Sequence, residues 1–202
     1  MDKSRHRGFT LMELMVTLAL AGVLLGLAVP NMRSFMQNNR LAGVANDLLR
    51  SLNLARTEAI KRQTFVVVCA SANPDAAEPS CGGQFQGWIV FEDTDADGDH
   101  GSSEPVIERH AFVDNSVKVN SDGNGIVSFA RTGFAGFESG VALTQTANVM
   151  LCDRRYSTEG SSTDSTGGRA LLITVTGRAR VSRVKDEVDT AFSNISSAGC
   201  PS

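Results

Sequence analysis

FTLMELMVTLALAGVLLGLAV, residues 9–29, holds twenty-one positions and a single charge, Glu13. As a helix rising about 1.5 Å per residue it reaches roughly 31 Å, the thickness of a bilayer's hydrocarbon core. The stretch reads as one membrane span. Ahead of it Lys3, Arg5 and Arg7 outnumber Asp2, and a basic flank of this kind stays in the cytoplasm. The expected orientation is N-terminus inside, with the bulk of the chain outside. Behind the span comes Val29-Pro30-Asn31-Met32-Arg33, without the small-residue cleavage site that ends a secretory signal. Ionisable groups inside a membrane are costly and usually functional, so Glu13 needs a partner.

The rest of the 202-residue chain leaves room for one ordinary domain. A content of 42% hydrophobic and 20% charged residues excludes wholesale disorder. The net charge of −3 argues against a protein coated in nucleic acid, while leaving room for a small basic site. Nineteen glycines and 6% aromatics suit a loop-rich β domain better than a helical bundle.

Past Pro30 the pattern turns amphipathic as far as residue 63. Leu41, Val44, Leu48, Leu52, Ala55 and Ala59 recur at spacings of three and four, one stripe that must be covered by another layer. Arg40, Asp47, Arg50, Arg56, Lys61 and Arg62 lie mostly off it and read as a solvated face. Strand signals follow at 64–70, 85–91, 106–113, 117–120, 126–130, 141–146, 149–152, 169–175 and 178–184, separated by Gly, Asn, Asp and Ser clusters. Residues 157–168 read as an exposed loop. The expected organisation is a leader at 1–8, a membrane helix at 9–29, an amphipathic helix at 30–63 and a β-rich domain at 64–202. The fold class is α+β, a long N-terminal helix packed on an antiparallel sheet domain.

Arg7-Gly8-Phe9-Thr10-Leu11-Met12-Glu13-Leu14 resembles the class III signal of type IV pilins and type II secretion pseudopilins. The resemblance implies cleavage by a prepilin peptidase after Gly8, methylation of the new Phe9 amine, and a kink at Pro30. It also implies a subunit that waits in the inner membrane and then joins a filament of such helices. There Glu13 would compensate the Phe9 amine of a neighbouring subunit. The β-rich remainder, including Gly87-Trp88-Ile89-Val90-Phe91 and its acidic turn, is similar to the FimT/GspH branch of that superfamily.

Four cysteines, Cys69, Cys81, Cys152 and Cys200, lie in the part placed outside the cytoplasm, where disulfides persist. Of three pairings, Cys69 with Cys81 and Cys152 with Cys200 are favoured, one closing a short loop and one tying down the tail. Zinc is disfavoured, because no CxxC occurs and His6, His100 and His110 lack ligand spacing. Asp93-Thr94-Asp95-Ala96-Asp97-Gly98, followed by Glu104, fits a twelve-residue calcium loop. Its flanks are strand-like, so a solvated acidic turn stands beside a structural calcium site, the one cofactor candidate.

Thr176-Gly177-Arg178-Ala179-Arg180 carries the functional expectation. A glycine at a hairpin bend permits positive φ and close backbone approach. In an extended strand Arg178 and Arg180 share a face, where two guanidinium forks can hold neighbouring phosphates. Arg183 and Lys185 add charge nearby. The motif resembles the Gly-Arg-x-Arg of FimT-like minor pilins, which implies binding of double-stranded DNA for uptake in natural transformation. Against this, arginines on an edge strand also block sheet-to-sheet pairing, and Asp186, Glu187 and Asp189 can neutralise them. Trp88 and Tyr156 are too scattered to make base stacking the main contact. No Gly-rich phosphate loop, no Ser/His/Asp set and no paired carboxylates in a plausible cleft are read, so no enzyme is expected. The alternatives are a FimU-like tip adaptor that primes assembly and a GspH-like pseudopilin.

Overall fold

The computed structural model describes residues 9–82, 85–112, 116–121, 126–138, 141–142, 147–156 and 167–195. At 28–31, 126, 137–138, 141–142 and 194 only the backbone is described. The chain divides into two compact units, with the boundary between Asn39 and Arg40.

In the first unit Thr10 starts helix α1 (Leu11–Arg62). Its hydroxyl oxygen accepts the Glu13 N–H at 3.2 Å and its carbonyl accepts the Leu14 N–H at 3.1 Å, satisfying donors that a helix start leaves open. Apolar side chains point outward all round this segment, and Leu11, Leu18 and Leu24 are among the exposed ones. An 18-residue window of α1 has a mean hydropathy of 2.2 with none of it buried in the chain. A helix apolar on every side needs lipid or similar helices around it. Gly8 and the leader, together with the Pro30 side chain, lie outside the described residues.

The second unit opens with residues 40–62 of α1. There follow β1 (Phe65–Ser71), β2 (Gly87–Asp93), β3 (Val106–Ala111), β4 (Lys118–Ser121) and β5 (Ile126–Phe129). Then come β6 (Ala135–Glu138), β7 (Val141–Ala142), β8 (Ala147–Cys152), β9 (Gly168–Ile173), β10 (Ala179–Ser182) and helix α2 (Lys185–Asn194). One sheet runs β3-β2-β1-β5-β6-β7 and the other β10-β9-β8-β4, and every paired strand is antiparallel. The α+β expectation holds. Two elements depart from it: β6, short and with a register shift against β7 after Gly136, and α2, where 178–184 reads as one strand but β10 stops at Ser182. Positions 143–146 and 157–166 lie outside the described residues.

One core joins the helix to both sheets. Leu41, Ala45, Leu48, Leu52, Ala55 and Ala59 of α1 are buried with Val66, Val68, Trp88, Val90, Val127 and Phe129 of the first sheet. Val149, Leu151, Leu171 and Ile173 of the second sheet meet the same cluster. Ala45 is fully buried, whereas the expected Val44 packs only at the margin. The outer faces are covered too. Val67, Cys69, Ile89 and Phe91 form a second cluster under the chain segment that the Cys69–Cys81 disulfide returns to β1. Met150, Cys152 and Ala170 are covered by Val188 and Ala191 of α2 and by Ile195 just after it. Strands buried on both faces read as continuous apolar runs, as FVVVCA and ANVMLC do.

The basic residues of α1 are mostly exposed, as expected of a solvated face, and several of them also reach across to the strands and bends beside the helix. Arg50 reaches Glu108 at 2.5 Å, Arg62 reaches Glu92 at 2.9 Å, and Arg40 donates to Ser116 at 2.9 Å. Arg56 Nε donates to the Gly133 carbonyl at 3.1 Å. In the core, Trp88 Nε1 donates to Ser51 Oγ at 2.9 Å and its ring stacks on His110. Ser51→Ala leaves this buried N–H without a partner and should lower unfolding stability by about 1–3 kcal/mol, read from the urea midpoint at unchanged slope.

Two hairpin bends of the same type close against each other on this frame. In 130–134 the Gly133 N–H bonds to the Ala130 carbonyl at 2.7 Å and the Ala130 N–H to the Phe134 carbonyl at 2.9 Å. In 174–178 the Gly177 N–H bonds to the Thr174 carbonyl at 2.8 Å and the Thr174 N–H to the Arg178 carbonyl at 2.9 Å. Each is a three-residue loop with a left-handed glycine, Gly133 at φ 80° and Gly177 at φ 76°. The bends are stitched by the Ala135 N–H to the Val175 carbonyl at 3.1 Å. A Cβ on Gly177 would stand 2.1 Å from the Gly133 oxygen, and backbone cannot step aside as a side chain can. Gly177→Ala therefore combines a positive-φ strain with a clash and should cost about 2–4 kcal/mol in denaturant unfolding.

Candidate nucleic-acid interface

The Thr176-Gly177-Arg178-Ala179-Arg180 segment forms the bend between β9 and β10, and β10 is the edge of the second sheet. Ala179 pairs with Ile173 and Arg180 with Leu172. Ala179 and Val181 pack toward the core, which turns Arg178 and Arg180 outward. Gly177 is buried beneath the bend against the Gly133 carbonyl. Its contribution is to position Arg178 and to admit a neighbouring backbone, so it offers no surface of its own. The backbone of Arg178 is held on both sides, its N–H by Thr174 Oγ1 at 3.2 Å and its carbonyl by the Thr174 N–H.

The four basic residues are not equivalent. Arg178 is exposed and has no carboxylate partner among the described residues. Arg180 lies in a two-pronged pair with Glu187 of α2, at 3.0 and 2.6 Å. That guanidinium, and then a hydrogen bond from Ser182, hold the Glu187 carboxyl down to about 2, well below its ordinary 4.5. Glu187 in turn raises Arg180. Because the carboxyl is depressed in the fold, the pair is fully present above about pH 4.5 and is lost only as the pH falls toward 2. Arg183 is exposed just after β10.

Lys185 departs from the expected patch. It is buried, and its Nζ contacts Asp189 Oδ2 at 2.6 Å. Asp189 also accepts the Tyr156 hydroxyl at 2.9 Å. Burial, and then that carboxylate, push the Tyr156 phenol far above its usual range. The network fastens α2 to the second sheet, so Lys185 is structural. Two neighbours in the adjoining bend escaped notice in the sequence. Arg131 is exposed and without a partner among the described residues, and Phe134 is 47% exposed. Only the stitching of the two bends sets the bend that carries them against the one that carries Arg178, at a sequence distance no local pattern spans.

The acidic turn gathers carboxylate oxygens of Asp93, Asp95 and Asp97 within 4.8 Å of one another. Glu104 stands apart from that group. Its oxygens accept the Thr94 N–H at 2.7 Å and the Gly101 N–H at 2.9 Å. Asp93, also buried, accepts the Ala96 and Gly98 N–H groups at 2.8 and 3.0 Å. Asp93, Asp95 and Asp97 of the twelve-residue loop reading thus come together, while Glu104, expected as its last ligand, lies outside the cluster and is held by backbone donors. Cys69 and Cys81 are joined with Cα atoms 5.6 Å apart. Cys152 is buried and disulfide-bonded, while Cys200, its expected partner, lies outside the described residues. Glu13 is exposed in the first turn of α1.

The family model for type II transport protein GspH matches residues 44–179, and that for the prokaryotic N-terminal methylation motif matches residues 3–29. Over 63 residues the chain is 46% identical to the pilin-like protein PilA1 of Thermus thermophilus, covering 30% of this chain. It spans only 38% of that relative's length. The type IV major fimbrial protein FimA of Dichelobacter nodosus is 24% identical over 136 residues, covering 66% of this chain and 77% of its own. The solved type IV minor pilin FimU of Pseudomonas aeruginosa aligns at 18% identity with a TM-score of 0.47, over 73% of this chain and 92% of that one. With a match over more than half of its length, this chain belongs to the type II transport protein GspH family, whose members are structural and not enzymatic, and carries the prokaryotic N-terminal methylation motif.

Proposed function

We propose that the protein is a minor pilin that binds extracellular double-stranded DNA through arginine contacts to phosphate, in support of natural transformation. The observation that carries this reading is Arg178, exposed on a doubly hydrogen-bonded bend with no carboxylate partner among the described residues. Arg131 on the abutting bend extends the positive surface. Arg180 contributes less, because phosphate must compete with Glu187 for both prongs of its guanidinium. Arg183 flanks the patch, and Gly177 holds it in place.

The reading includes the chain's route to the filament. Prepilin peptidase cuts after Gly8 and the Phe9 amine is methylated. Residues 9–29 anchor the subunit in the inner membrane with residues 64–202 on the periplasmic side, and 30–63 link the two. On assembly the apolar helix leaves lipid for a bundle of other pilins, and Glu13 meets the Phe9 amine of a neighbour. Mass spectrometry of the chain recovered from cells should find a methylated start at Phe9. An intact leader, or a start beyond Pro30, overturns this route.

DNA binding is tested by titrating the mature chain, in detergent micelles, against mixed-sequence duplex at several salt concentrations. Affinity should fall linearly in log–log form with salt and show little sequence preference. Arg178→Ala should weaken binding about tenfold and reduce the salt slope by about one. Arg180→Ala should do less, and Glu187→Gln should tighten binding by freeing Arg180. An Arg178→Ala chain that binds like its parent defeats the phosphate reading. The GspH match favours a second reading, a pseudopilin or tip adaptor acting through protein contacts alone. That reading prevails if the parent ignores duplex while deletion of the gene abolishes filaments or secretion.

A further inference from the structure

We propose that Phe134 is a base-contacting residue, so that the patch takes unpaired nucleobases as well as phosphates and favours a single strand or a frayed end. The inference rests on the DNA-binding reading above and adds a second chemical group to that site. Phe134 and Arg178 hold the same place in two matching bends, each being the residue after a left-handed glycine. The Ala135 N–H to Val175 carbonyl bond and the Gly177 contact on the Gly133 oxygen lock those bends side by side. An aromatic ring and a free guanidinium therefore leave neighbouring points of a rigid surface.

Exposure sets Phe134 apart. Among the described residues of 40–195, Ile60, Phe134 and Val184 are the exposed large hydrophobics, and Phe134 is the one aromatic. Trp88 is fully buried, and Tyr156 is tied to Asp189 and packed on Phe192. Ile60 and Arg56 lie against the Gly133 bend, Arg56 donating to its carbonyl, so apolar and cationic groups adjoin the bend that carries the ring. Such surroundings disfavour a cation and suit a flat π-face joined to an anionic backbone, as a nucleotide is. Stacking of a base on an aromatic side chain is tolerant of sequence and strong enough to read in affinity.

The experiment titrates the mature full-length chain in detergent micelles by fluorescence anisotropy. Two labelled strands of equal length are compared, an oligothymidylate and a fully abasic strand carrying the same phosphates. The parent should bind the oligothymidylate about tenfold more tightly. Phe134→Ser should erase that preference while leaving the abasic affinity and its salt slope unchanged, and Phe134→Tyr should retain it. Arg178→Ala should weaken both strands together. Equal affinity of the parent for the two strands overturns the base contact and leaves phosphate binding standing. A parent that binds neither strand at low salt overturns the inference, and the duplex titration above then separates loss of the base contact alone from failure of the DNA reading beneath it. Because the two-strand comparison uses the parent alone, the result does not depend on a variant folding.

Discussion

A single stripe on residues 41–59 of α1 has to be covered by two sheets that share no strand, and the rest of the domain follows from that constraint. Ala45, Ala55 and Ala59 let strands come close to the helix, while Leu41, Leu48 and Leu52 fill the space between. At the end of the stripe near Arg56 and Ile60 little side-chain volume remains, and backbone meets backbone. Gly133 and Gly177 occupy that place because no Cβ fits there. The bends between β5 and β6 and between β9 and β10 thus become one surface, although more than forty residues separate them.

That surface sorts the basic side chains by their carboxylate neighbours. α2 begins immediately after β10 and carries Asp186, Glu187 and Asp189 in its first turns. Glu187 captures Arg180, and Asp189 captures Lys185. Arg178 sits at the bend and stays clear of them. A motif that in one dimension is a run of equivalent positive charges is, in three, one available cation beside one engaged and one buried. An exposed pair such as Arg180 with Glu187 adds little to stability, since water screens it. Its consequence is selectivity: an incoming anion must displace a carboxylate already seated on both prongs.

The acidic turn illustrates the reverse case. Four aspartates in seven residues look like an unsatisfied demand for a cation, yet Asp93 and Glu104 are met by backbone N–H groups. The left-handed conformations of Ala96 and Gly98 aim two of those groups at Asp93. His100 bridges the turn to Pro79, with a ring nitrogen 2.8 Å from the Pro79 carbonyl. The segment thereby clasps the disulfide-closed loop onto the outer face of β1 and β2.

Much of the architecture was legible in residue order, because it depends on local chemistry. The apolar run at 9–29, the three-and-four spacing of the stripe and the turn residues between strands need no distant partner to be read. α2 has a signal of its own in Val188, Ala191, Phe192 and Ile195, at helical spacing in a polar background. β6, with Ala135 and Gly136 at its start, left almost none. Residue order is enough for an apolar N-terminal helix, an amphipathic helix over antiparallel strands, and the presence of arginines at one bend. Packing alone settles which arginine has no carboxylate on it, the burial of Lys185, and the meeting of the bend that carries Arg131 and Phe134 with the one that carries Arg178. Those outcomes depend on which carboxylate or carbonyl lies within a few ångströms, a quantity set by packing between segments far apart in the chain.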